Sequence, residues 1–161
     1  MSKSARPARV ASRQRPEIIT GDKTITANES GELYLINYNT GAKITITLPP
    51  IQEALYYRFQ FMSGMSANAA QVNIATQNGA GTLKGTLWTL KQAGSSADTT
   101  LATNKDSSST VIAYSGSVTA EGTANEIHVG TYLDVYCDGT NWQASGVTIA
   151  SHLSASVFAT A

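Results

Sequence analysis

Lys43-Ile44-Thr45-Ile46-Thr47-Leu48 alternates polar and apolar side chains and stops at Pro49-Pro50. A period of two residues is that of a β-strand, because successive side chains point to opposite faces of a sheet. Proline lacks the amide hydrogen that a strand needs for pairing, so the two prolines end the segment. This stretch predicts a strand with one buried face and one exposed face.

The same alternation recurs along most of the chain and predicts its fold class. Further strands are predicted at 23–27, 32–38, 55–62, 71–75, 83–90, 110–114, 131–137 and 142–149. Asp138-Gly139 between the last two segments is a strong hairpin signal. Residues 92–109 are rich in Ser, Ala, Asp and Thr and are predicted to be an exposed loop. We expect an all-β fold, an antiparallel β-sandwich or barrel of jelly-roll or tulip-like type, with an extended N-terminal arm.

The aromatic strand at 55–62 has two different faces. One is predicted to be core and carries Tyr57, Phe59 and Phe61. The other carries Tyr56, Arg58 and Gln60. Stacking of nucleic-acid bases on this strand is the alternative, but a negatively charged body would repel phosphate. Trp88 and Trp142 are predicted to lie in the core or an interface, with a sugar-binding surface as the alternative.

The positive charge of the chain is concentrated at its beginning. Five of the eleven basic residues lie in the first fifteen positions: Lys3, Arg6, Arg9, Arg13 and Arg15. The remainder carries six basic and all eleven acidic side chains, a formal charge of −5. We therefore divide the chain into a basic arm, residues 1–20, and a β-sandwich or barrel body, residues 21–161.

The arm has too few apolar residues to fold by itself. Ordering fifteen residues costs on the order of 15–30 kcal/mol of backbone entropy, whereas an exposed ion pair returns about 0–1 kcal/mol. Binding must therefore add backbone hydrogen bonds and apolar anchors, for which Val10 and Ile18 are the candidates. An acidic protein surface is the predicted partner, and nucleic acid is disfavoured by the acidic body. A solvated tail and a transit peptide are the alternatives, although Pro7 and Pro16 interrupt the helix that a transit peptide forms.

The sequence offers little for catalysis or metal binding. His128 and His152 are 24 residues apart and have no obvious carboxylate companion. Asp134 and Asp138 suit structural roles, the latter in a turn, and the single cysteine, Cys137, is predicted to be buried. No sequence motif of a known catalytic or phosphate-binding site occurs, and no apolar run approaches the length of a membrane span. We predict a protein that is not an enzyme, has no cofactor or metal and binds no membrane.

Several segments resemble β-modules of tailed-bacteriophage structural proteins. They are residues 31–37 (GELYLIN), 44–50 (ITITLPP), 57–61 (YRFQF), 130–142 (GTYLDVYCDGTNW) and 145–146 (SG). The last two are similar to a recurring ending of phage head-decoration and tail-fibre modules. The resemblance covers residues 24–146.

The resemblance implies a homotrimeric protein of the virion that is not an enzyme. In capsid decoration (cement) proteins the trimer sits on the capsid exterior and its arms grip the shell. The implied partners are the major capsid protein and two further copies of this chain, without direct contact to nucleic acid. Lys3, Arg6, Arg9, Val10, Arg13, Arg15 and Ile18 would form the capsid-binding arm. The alternatives are a phage tail-fibre or receptor-binding module that recognises a host glycan and, much less favoured, a small hydrolase.

Overall fold

The chain forms two β-sheets, which confirms the prediction of an all-β protein. A computed structural model describes residues 16–66, 70–91, 100–116, 127–151 and 156–159. Helical structure in these residues is limited to two 3-10 turns, Ala27–Glu29 and Gln77–Gly79. Most of the strands coincide with the segments in which polar and apolar residues alternate.

The larger sheet has seven strands in the described part of the chain. In spatial order they are β1 (Glu17–Ile19), β3 (Leu33–Ile36), β5 (Tyr56–Phe61), β10 (Tyr132–Cys137), β11 (Trp142–Ala150), β7 (Leu83–Lys91) and β8 (Thr100–Ser109). β1 and β8 are its two edges.

In the same described residues, the smaller sheet has five strands. Their spatial order is β12 (Ser156–Ala159), β9 (Val111–Ser115), β6 (Gln71–Ala75), β4 (Lys43–Thr47) and β2 (Lys23–Thr24). Alternating residues from both sheets point into one buried cluster.

The sheets are mixed, so the expected antiparallel pairing is correct for only some of the strands. β1, β3 and β5 pair in parallel in one sheet, β2, β4 and β6 pair in parallel in the other, and β7 pairs in parallel with β11. The reason is the path of the chain, because it passes to the opposite sheet after each of the first five strands. Each strand therefore re-enters its own sheet in the same direction, and the first six strands form a short coil.

The prediction of a loop at 92–109 is wrong for its second half. Residues Thr100–Ser109 form β8, which pairs antiparallel with β7. Residues 92–99 lie outside the described residues. The polar sequence of β8 suits the edge of a sheet, because exposed hydrophobic edge strands promote aggregation.

The core is aromatic where the two sheets meet. The rings of Tyr34 and Phe59 stack at 5.4 Å between centroids in the larger sheet. Across the sheets, the rings of Phe61 and Tyr114 lie 5.1 Å apart. Tyr57, Phe59 and Phe61 are fully buried, which confirms the predicted core face of this strand.

Candidate functional site: the outer face of the seven-stranded sheet

Large exposed apolar side chains are concentrated on one side of the molecule. In the described residues, six of them lie on or beside the outer face of the seven-stranded sheet. They are Ile18 (53% exposed), Tyr56 (38%), Met62 (42%), Trp88 (45%), Val129 (59%) and Tyr136 (43%). Exposed apolar groups that share one face are typical of an interaction surface.

The outer face of the smaller sheet is different. β4 and β6 direct polar side chains outward, while their isoleucine and valine side chains face the core. The outward set is Lys43, Thr45, Thr47 and Gln71. We therefore take the outer face of the seven-stranded sheet, which we call the aromatic face, as the candidate functional site.

The strand register aligns part of the aromatic face into one line. Six adjacent strands, from β1 to β7, each contribute one residue to it: Ile18, Leu35, Gln60, Tyr132, Val147 and Trp88. Five strand spacings of about 4.8 Å make the line about 24 Å long. This line is largely apolar and runs from the root of the arm to Trp88.

A charged pair lies beside this line. The Arg58 Nε–H and Nη2–H groups donate to Asp134 Oδ1 and Oδ2 at 2.8 and 2.7 Å, and the Tyr56 hydroxyl donates to Oδ1 at 2.7 Å. The guanidinium also lies 5.0 Å from the centre of the Tyr132 ring. Bidentate contact and ring stacking hold both charged groups in fixed positions.

The contacts of this pair raise the pKa values of Arg58 and Tyr56. The hydrogen bond to Asp134 raises the pKa of Arg58. Burial, together with the hydrogen bond to the same carboxylate, raises the pKa of the Tyr56 hydroxyl. Tyr56 therefore stays protonated, and Arg58 stays charged, at neutral pH.

A pocket of about 320 Å³ opens on the aromatic face next to this pair. Its lining residues are Tyr56, Asp134, Val135, Tyr136, Gln143, Ala144 and Ser145. Most of them come from β10 and β11, whose antiparallel register places Asp134 opposite Ser145 and Tyr136 opposite Gln143. The small side chain of Ser145 leaves the hollow, and the two tyrosines stand beside it, whereas the side chain of Ala144 belongs to the core.

The turn between β10 and β11 has the structural role that was predicted for Asp138. Its Oδ1 atom accepts hydrogen bonds from the amides of Thr140 and Asn141 at 2.8 and 2.7 Å. Its Oδ2 atom accepts one from Gln143 Nε2 at 2.7 Å. These bonds, the Asn141 amide first, lower the pKa of the Asp138 carboxyl.

The predicted capsid-binding arm falls mostly outside the described residues. The predicted site residues that lie outside the described residues are Lys3, Arg6, Arg9, Val10, Arg13 and Arg15. His152 also lies outside them. Ile18 lies in β1, paired with Leu35 of β3, and its side chain is exposed on the aromatic face. Residues Glu17–Ile19 of the predicted arm thus form an edge strand of the larger sheet.

A small ionic cluster fixes β1 to the structure that follows it. The Lys23 ammonium lies 2.9 Å from both Glu17 Oε1 and Glu29 Oε1, and 5.4 Å from the centre of the Tyr34 ring. Burial opposes the charge of Lys23, but the two carboxylates outweigh it and raise its pKa. The cluster links β1, β2 and the first 3-10 turn.

Glu29 is expected to make this cluster sensitive to acid. Burial disfavours its charge, but hydrogen bonds from Lys23 and Thr26 lower its pKa to about 2 from 4.5. A lowered pKa in the folded state adds stability above pH 4.5 that is lost as the pH falls towards 2. In this interval the wild type should lose about 1 kcal/mol more unfolding free energy than Glu29→Gln, because the cluster is partly solvated.

Urea unfolding at a series of pH values measures this difference. Glu53→Gln is the matched control, since Glu53 is exposed and has no ion pair among the described contacts. It should follow the wild type at every pH. Parallel pH profiles of the wild type and Glu29→Gln would refute the role assigned to Glu29.

His128 and Cys137 are the remaining candidate chemical groups in the described residues. His128 Nε2 lies 3.3 Å from the Ser151 hydroxyl. Cys137 is buried, as predicted. No group of three His, Cys, Asp or Glu side chains that could hold a metal occurs in the described part. Nor does that part contain a helix long and apolar enough to cross a membrane.

The fold and this face define a class of protein, a two-sheet β-protein with exposed aromatic side chains on the outer face of its larger sheet. No protein family, curated protein or solved structure matches this chain.

Neither the charged pair nor the pocket was predicted from the sequence. The alternation places Tyr56 and Arg58 on one face of their strand, but Asp134 suits a routine structural role. One signal was present, because Tyr132-x-Asp134-x-Tyr136 has the same spacing as Tyr56-x-Arg58-x-Gln60, with opposite charges at the centres. Only the register of β5 with β10 turns that similarity into a contact.

Proposed function

We propose that this protein is a phage capsid decoration protein that acts by binding and not by catalysis. A trimer would sit on the exterior of the capsid, with the major capsid protein as partner, and stabilise the shell through its N-terminal arms. The same proposal gives the body a jelly-roll or tulip-like fold related to that of known phage modules. It also places the protein in the virion, without direct contact to nucleic acid.

The observation that carries the proposal is the position of β1. This strand follows the basic leader directly and forms an edge of the seven-stranded sheet, with Ile18 exposed. The leader therefore ends at the border of the aromatic face, beside the line of apolar residues that begins with Ile18. A partner that lies on this face could contact the leader at the same time.

The energetics favour a partner that binds by more than charge. An edge strand offers free backbone groups to a further strand, and the aromatic face offers apolar contact area. Both add to the weak ion pairs of the five basic residues. Three arms on one trimer would gain avidity on the order of 10²–10⁴ through effective concentration.

Binding to empty phage heads tests the proposal. Deletion of residues 1–16 leaves β1 in place and should abolish both binding and the protection of heads against heat or osmotic shock. Light scattering of the full chain should give the mass of a trimer. Unchanged binding of the deleted protein would refute the role of the arm.

Two further variants separate charge from anchoring. Replacement of Lys3, Arg6, Arg9, Arg13 and Arg15 by glutamine should weaken binding most at low salt, because ion pairs are screened at high salt. Ile18→Ala should weaken it at all salt concentrations. Equal behaviour of both variants at all salt concentrations would contradict an arm that uses both kinds of contact.

The second candidate function is a tail-fibre or receptor-binding module for a host glycan. The observation that favours it is Trp88, which is 45% exposed on the aromatic face, whereas Trp142 is fully buried. Exposed aromatic rings stack well on the apolar faces of sugars. Binding of the body to a glycan array without any binding to heads would favour this function over capsid decoration.

A further inference from the structure

The pocket on the aromatic face is built around a carboxylate that is held in place before any ligand binds. Arg58 and Tyr56 occupy three of the four lone-pair positions of Asp134. The fourth, on Oδ2, can still accept a hydrogen bond. Since the guanidinium matches the charge of the carboxylate, the pair carries no net charge.

Two more polar groups line the same pocket. The carboxylate of Asp138 can only accept hydrogen bonds at neutral pH, so it fixes the amide nitrogen of Gln143 towards itself at 2.7 Å. The amide oxygen of Gln143 is left to accept a hydrogen bond from another group. Ser145 is exposed beside it and adds a hydroxyl that both donates and accepts.

The walls of the pocket are aromatic. Tyr56 and Tyr136 are register partners in β5 and β10, and both rings are more than a third exposed. The hydroxyl of Tyr56 is used by Asp134, so the rings offer mainly their apolar surface. A volume of about 320 Å³ is small for a ligand site and suits a single compact unit.

These groups select the chemical class of the ligand. Several hydroxyls would satisfy the Asp134, Gln143 and Ser145 oxygens, and an apolar C–H face would pack on the tyrosine rings. An anion finds no free cation among the lining residues, and a cation finds a carboxylate that Arg58 already neutralises. A pyranose ring combines the hydroxyls and the apolar face without a charge.

We propose that the pocket formed by Tyr56, Asp134, Tyr136, Gln143 and Ser145 binds one neutral hexopyranose unit of a polysaccharide. The proposal rests on the second candidate function, the recognition of a glycan, and gives it a site. It does not depend on the N-terminal arm.

Nuclear magnetic resonance of the full chain tests the proposal with defined probes. The methyl glycosides of glucose, galactose, mannose and N-acetylglucosamine are titrated separately to millimolar concentrations, with glucuronate and acetyl-arginine amide as charged probes. At least one neutral sugar should shift the amide signals of Gln143 and Ser145. A stronger response to either charged probe, or no response to any neutral sugar, would overturn the proposal.

Variants connect the response to the pocket. Tyr136→Ala should raise the dissociation constant of the responding sugar at least about tenfold, because it removes one aromatic wall. Tyr136→Phe is the matched control and should leave it within about twofold, since the ring remains. Ser145→Leu fills the hollow and should abolish binding. Unchanged affinity of Tyr136→Ala and Ser145→Leu would show that the sugar binds elsewhere.

Binding to phage heads separates this proposal from capsid decoration. Deletion of residues 1–16 should lose the heads and keep the sugar, because the residues that line the pocket lie outside the arm. Joint loss of both kinds of binding in the deleted protein, with the thermal unfolding temperature unchanged, would contradict a sugar site that is independent of the arm.

Discussion

Gly85→Ala is expected to lower the free energy of unfolding by about 3–5 kcal/mol. Gly85 lies in β7, opposite Ala144 of the parallel strand β11. A Cβ atom at this position would lie 1.8 Å from the carbonyl oxygen of Ala144, and the backbone has a φ of +143°, which side chains rarely adopt. The strand would have to move away from β11, and its register next to the bulge with β8 would be lost.

Gly21→Ala is the matched control for this substitution. No heavy atom lies within 4 Å of the Cβ position at Gly21, and its φ is outside the left-handed range. It should change stability by less than about 1 kcal/mol, because alanine fits here without a clash and restricts the unfolded chain. Urea unfolding of both variants measures the difference. Equal stability of the two proteins would contradict the close approach of β7 and β11.

Phe59→Ala is expected to cost about 3–5 kcal/mol of unfolding free energy, through lost burial and the cavity that remains. Phe59 is fully buried in β5 and stacks on Tyr34 of β3. On its other side, the register places it opposite Leu133 of β10. It therefore lies where the parallel coil of the first strands meets the antiparallel part of the sheet.

The neighbouring substitution Gln60→Ala provides the comparison. Gln60 points to the aromatic face and is only partly buried, so its loss should cost less than about 1 kcal/mol. Denaturant unfolding should give the same slope for both variants, because the surface exposed on unfolding is similar. If Phe59→Ala were as stable as Gln60→Ala, the assignment of faces in β5 would be wrong.

Alternation of residues was sufficient to predict the buried face of several strands. It identified Tyr57, Phe59 and Phe61 as core because a single shift in register would expose all three aromatic rings. It did not predict which strands are parallel, since a strand shows the same alternation whichever way its neighbour runs. It also missed β8, because an edge strand buries little and its Ser- and Thr-rich sequence looks like that of a loop.

The candidate site was harder to predict from the sequence than the core. Arg58 and Asp134 are 76 residues apart, and only the pairing of β5 with β10 brings them together. The two tryptophans were equally ambiguous. Trp142 faces inward and Trp88 outward because of how β11 and β7 are placed in the sheet, and no local pattern distinguishes the two.

The shortness of β1 has a mechanical consequence. A pulling force on the N-terminus reaches this strand of three residues before it reaches any other part of the described fold. β1 is held at the sheet edge by β3 and by the Lys23 cluster, while the aromatic rings of the core lie further in. Under load, β1 should detach first and reversibly. The attachment of the arm would therefore yield before the body unfolds.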